Sequence, residues 1–241
     1  MEIFMLIAVC ITISVALMIT KKREPLHLSF AALCLAIAFH RGGVLFDQFS
    51  PHIAWLLVER LGLLAIPPLA IRFSHTLYRE QTLIRKSDIR SATLFSTGLA
   101  VLLFTPLARW EPLDLILYLY ADGVLLMCYL SLIVHAKRKA AGVEKKRLVY
   151  LIIAFTAAIA TASLPPLFNL IVAGMLYFIL IMITHPHLTE LHDLMARAIV
   201  ILIVTLFTTV FFYLIIGFFG KGPAPPLTLV FMVSFLIIIA I

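Results

Sequence analysis

Five polar side chains fall inside segments that are otherwise apolar. Glu59 and Arg60 lie about six residues into the apolar run 53–74, and Asp122 lies about nine residues into 113–135. Arg41, next to His40, closes the run 27–46, and Asn169 opens 165–184. A bare charge at the centre of a bilayer costs at least about 2.5–3.5 kcal/mol, so charges held there pair with one another or meet a ligand. Two chemistries follow. Glu59 or Asp122 pairs with Arg60 or Arg41 and ties helices together. Alternatively, these residues line a polar pocket in the outer half of the membrane, rimmed by Trp55 and Trp110 and near the loop residue Asp47, that takes a small ligand or ion.

Other candidate groups carry less chemistry. The stretch from Thr184 to Asp193 holds His185, His187 and His192 with Glu190 and Asp193. Pro186 separates the first two imidazoles, and His187 to His192 is off the i, i+4 helical face, so no metal site is expected. Thr189 instead suits a helix N-cap, with Asp193 in the early turns. Pro67 and Pro68 fall mid-run, where two rings remove two ladder donors and predict a kink that can act as a hinge or a fixed bend. There is no Gly-rich phosphate loop, H-E-x-x-H, paired C-x-x-C or G-x-S-x-G. No catalytic residue is therefore assigned.

The elements that must position these groups are apolar helices. Of 241 residues 63% are hydrophobic and only 13% charged, and the mean hydropathy is +1.12. Soluble domains carry about 45–50% apolar and about 25% charged residues, which excludes a disordered tail, a secreted disulfide scaffold and a soluble nucleic-acid binder. Cys10, Cys34 and Cys128 all lie in apolar runs and are expected to pack as small hydrophobes. Apolar runs at 3–20, 27–46, 53–74, 92–108, 113–135, 148–163, 165–184, 197–219 and 225–241 predict an all-α polytopic bundle of about nine transmembrane spans. The division between the sixth and seventh rests on Pro165 and Pro166, which favour a tight turn over one helix of nearly forty residues.

Orientation comes from the sorting of basic residues. Fifteen of the nineteen Lys and Arg fall in one alternating set of connections, including Lys21 to Arg23, Arg79 to Arg90 and Lys137 to Arg147. Positive residues resist translocation, so the N-terminus is expected outside and the C-terminus in the cytoplasm. The basic loop 135–147 also attracts anionic lipid headgroups. The first run has Glu2 and no base before it and Lys21 to Arg23 after it, so it reads as a retained anchor. Leu227–Ile241 would span only about 22 Å of about 30 Å of hydrocarbon, which predicts a polypeptide that continues into the cytoplasm.

Several stretches resemble the multi-pass N-terminal region of bacterial sensor histidine kinases. They are Arg23-Glu24-Pro25-Leu26-His27-Leu28-Ser29-Phe30, Gly62-Leu63-Leu64-Ala65-Ile66-Pro67-Pro68, Gly142-Val143-Glu144-Lys145-Lys146-Arg147, and Tyr177-Phe178-Ile179-Leu180 with Thr184-His185-Pro186. The resemblance implies a seven-helix sensor region over 1–185 followed by two further helices over 186–241. It also implies a homodimer in the bacterial inner membrane that acts on a response regulator. No phosphoacceptor histidine box or ATP-binding box is present, so no cofactor belongs to this chain; ATP and Mg are implied only for a kinase core outside it. The competing expectation is a small transporter or membrane-complex subunit, with Glu59 and Asp122 along its path.

Overall fold

A computed structural model describes residues 2–19, 24–78, 86–105, 112–138, 142–161 and 165–184. Among these every regular element is a helix: α1 (Glu2–Ile19), α2 (Pro25–Phe49), α3 (Ile53–Tyr78), α4 (Lys86–Leu103), α5 (Pro112–Arg138), α6 (Gly142–Ala160) and α7 (Pro165–Thr184). Three of them, α2, α3 and α5, are long and apolar enough to cross a membrane. The expected runs 197–219 and 225–241, the histidine cluster from His185 to His192, and Trp110 lie outside the described residues.

Prolines set several of the helix boundaries. Pro25 occupies the first turn of α2, where its missing N–H and fixed φ cost nothing. The same helix stops at Ser50, whose N–H bonds Phe46 O, because Pro51 disfavours a helical residue before it. α5 opens on Pro112 with Asp114 in its first turn, an acid placed favourably for the helix dipole. α7 opens on Pro165, so the proline pair separates α6 from α7 as expected. The fourth run differs from its expected bounds. Its helix begins at Lys86 and ends at Leu103, because the polar Lys86, Ser87 and Asp88 extend its start and Pro106 disfavours helix at Thr105.

The described residues belong to two compact units, Arg23–Ala141 and Met1–Lys22 with Gly142–Ile241. In the second of these, α7 packs against both α1 and α6. Met5 through Cys10, Ile13 and Leu17 of α1 are buried, as are Ala173 and Leu176 to Ile179 of α7. Buried hydroxyls here bond within their own helix, Thr12 to Ala8 O at 2.7 Å and Ser14 to Cys10 O at 2.7 Å. They therefore leave no donor stranded.

The unit Arg23–Ala141 is organised around α3, which contacts α2, α4 and α5. α2 and α3 form an antiparallel hairpin: Phe46 stacks on Trp55 at 4.7 Å between ring centroids, and Phe30 meets Phe73 at 5.2 Å near the other end. Between these pairs the helices touch backbone to backbone. A Cβ on Gly43 would lie 2.4 Å from Glu59 N, and one on Gly62 would lie 2.4 Å from His40 N. Only glycine permits that approach, which is how helices pack closely without large side chains between them. On the other side, Leu63 and Leu64 join Leu99 and Leu103 of α4 and Leu113, Leu117 and Ala121 of α5 in one core. Tyr120 ties α5 to α4 by donating to Ala92 O at 2.9 Å, while the Ser96 hydroxyl lies 3.0 Å from the Tyr120 oxygen.

Candidate functional site

A polar cluster forms where α2, α3 and α5 meet, one to two turns in from the ends that the sequence expectation puts outside. His52 prepares it: its Nδ1 accepts from the Ala54 N–H at 3.1 Å and caps the start of α3. Two turns along, the Gly43 seam lets α2 reach the α3 backbone, and His40 Nδ1 lies 3.2 Å from Glu59 O. A carbonyl only accepts, so Nδ1 carries the hydrogen. The His40 ring also meets Tyr118 edge-on at 6.4 Å.

The side chains on α3 turn toward α5. Arg60 Nη2 donates to Asp114 Oδ2 at 2.7 Å, a pair whose side chains are 9% and 45% exposed respectively. One residue earlier, Glu59 Oε1 accepts from the Tyr118 hydroxyl at 3.2 Å. The guanidinium reaches along its own stem to an acid two residues into α5. The result is two adjacent charged residues of α3, each bridged to a different turn of α5, backed by a buried imidazole on α2. We expect Tyr118→Phe, which removes one half-screened hydrogen bond, to cost only about 0.5–1 kcal/mol in detergent unfolding titrations.

The expected residues divide among three places. Glu59 and Arg60 are in the cluster, and Arg41 is half-buried on α2 within electrostatic reach of His40 and Tyr118. Asp122 stands apart on an exposed face of α5 and makes no hydrogen bond or ion pair among the described residues. Asn169 is in the other unit, 2% exposed, with its Oδ1 lacking a partner. Arg60 bridges to Asp114, an acid outside the expected set. Trp55, expected at a pocket rim, is half-buried against Phe46.

Asp114 and Tyr118 were not among the expected residues. Asp114 stands in the first turn of α5, where acids are common for the helix dipole, and only the need of Arg60 for an acid within reach singles it out. Pro67 and Pro68 lie inside α3, which continues through them. Their missing N–H groups remove the ladder donors to the carbonyls of Leu63 and Leu64, one turn below the cluster. Among the described residues no group of three His, Cys, Asp or Glu side chains could hold a metal ion.

An all-helical protein with three helices long and apolar enough to cross a membrane, two of them joined by an ion pair, is the class that these features define. Comparison with models of known families, with curated proteins and with solved structures gives no match.

Proposed function

We propose that this chain is the membrane-embedded sensory and signal-transducing region of a two-component sensor histidine kinase in the bacterial inner membrane. In this reading it spans the bilayer about nine times with its N-terminus outside. It works as a homodimer and passes its state to a kinase core that uses ATP and Mg and phosphorylates a response regulator. The observation that carries the proposal is the Arg60–Asp114 bridge between α3 and α5, set just above Pro67 and Pro68 on the same helix. A stimulus that competes for either partner in the outer half changes the α3–α5 tie, and the weakened ladder below lets the inner end of α3 respond. A ligand shifts such an equilibrium only by its differential affinity for the two arrangements, and a pair that it breaks or makes provides that difference. The kinase assignment itself rests on the sequence resemblance.

The test uses the complete protein in vesicles with ATP and Mg. Arg60→Gln and Asp114→Asn should each change basal autophosphorylation by at least about threefold, and the reversed pair Arg60→Asp with Asp114→Arg should restore it. Unchanged phosphorylation in correctly inserted variants overturns the proposal. Solute flux that depends on Glu59 would favour a transporter instead.

A further inference from the structure

We propose that the exposed face of α5 centred on Asp122 docks a transmembrane helix of another protein that carries one Lys or Arg near its midpoint. Leu115, Leu119, Leu126 and Leu130 are each more than half exposed and follow one another at helical spacing. Asp122 and Gly123 are exposed in the middle of that stripe. Asp122 is ten residues from the start of α5, or about 15 Å of rise, which puts it near the middle of a hydrocarbon layer of about 30 Å. An acid there needs a partner more than any surface acid does. A Cβ on Gly123 would have nothing within 4 Å, so the position beside the acid is open to close approach by a second helix.

Charge complementarity selects the occupant. α1, α7 and the apolar run 225–241 contain no Lys, Arg or His, and in α6 and the run 197–219 the bases Lys145, Lys146, Arg147 and Arg197 stand within the first residues, so none of them carries a mid-helix base to neutralise Asp122. Arg60 is taken by Asp114. A second copy that paired α5 with α5 across a two-fold axis would set Asp122 against Asp122, a like-charge contact. A foreign helix with a single central base satisfies the acid and covers the leucines. This inference needs α5 to span the membrane but does not need a kinase.

The experiment measures energy transfer between the full chain, labelled at its N-terminus in neutral phosphatidylcholine vesicles, and synthetic 23-residue Leu/Ala transmembrane peptides. One peptide carries a single Lys at its centre and the other Leu. The Lys peptide should associate at least about tenfold more tightly. Asp122→Asn should abolish that preference, Asp122→Glu should keep it, and Gly123→Leu should weaken it. Circular dichroism in the same vesicles reports whether each variant keeps its helices. Equal association of the two peptides, or a preference that survives Asp122→Asn, overturns the proposal. So does Asp122-dependent transfer between two labelled copies of the chain, which would make the occupant a second copy.

Discussion

Gly62→Ala is expected to open the α2–α3 hairpin, at a cost of about 1–3 kcal/mol, although it adds a single methyl group. The added carbon would sit 2.4 Å from His40 N and 2.7 Å from His40 Cα, and backbone atoms inside a helix cannot step aside as a side-chain tip can. Gly43→Ala meets the Glu59 backbone in the same way and should cost a similar amount. The two changes act on one crossing, so the double variant should cost clearly less than their sum, because helices already separated have little more to lose. Gly42→Ala, one residue away with nothing within 4 Å of its Cβ, is the control. It should be neutral or stabilising by up to about 1 kcal/mol, since alanine is the better helix former. Trp55 reports the outcome directly, because its stacking on Phe46 crosses the same seam. Detergent titrations followed by its fluorescence should shift to lower denaturant for the two seam variants and not for the control. Equal shifts for Gly42→Ala and Gly43→Ala would mean that the seam does not form.

The seam also shows where sequence reading stopped. Apolar runs and prolines gave the helices of the described residues with ends mostly within a few positions, because a run of that composition has few other ways to satisfy its backbone. The Gly42-Gly43 pair and Gly62 looked no different from any other glycine. Their roles depend on which face of α2 meets α3, a rotation that short apolar segments do not encode when most of their faces are apolar. The candidate site was half legible for a related reason. Glu59 and Arg60 stood out because charges are rare inside such runs, whereas Asp114 and Tyr118 sit where a helix start and an interfacial aromatic are expected anyway. Asp122 stood out equally, yet it is exposed and takes no part in the cluster. Eight residues separate it from Asp114 along α5, a bit more than two turns, and that distance decides which acid Arg60 can reach.

The Arg60–Asp114 pair should respond very unequally to the loss of its two members. Arg60 has a side chain only 9% exposed, whereas that of Asp114 is 45% exposed. Asp114→Ala withdraws the carboxylate from a buried guanidinium, and breaking a buried pair from that side costs toward the lower end of roughly 3–5 kcal/mol. Arg60→Met removes the charge and keeps the apolar stem in its place. It leaves an acid that water already reaches, so the cost should stay below about 1 kcal/mol after allowance for screening. The order of effects then inverts in the double variant. Adding Arg60→Met to Asp114→Ala should recover much of the stability that Asp114→Ala lost, because the buried charge is gone along with its partner. A surface pair of equal geometry would show two small, similar losses and no recovery. Unfolding titrations of the three variants separate the two cases, and equal losses for the single variants would mean that Arg60 is solvated from the membrane surface.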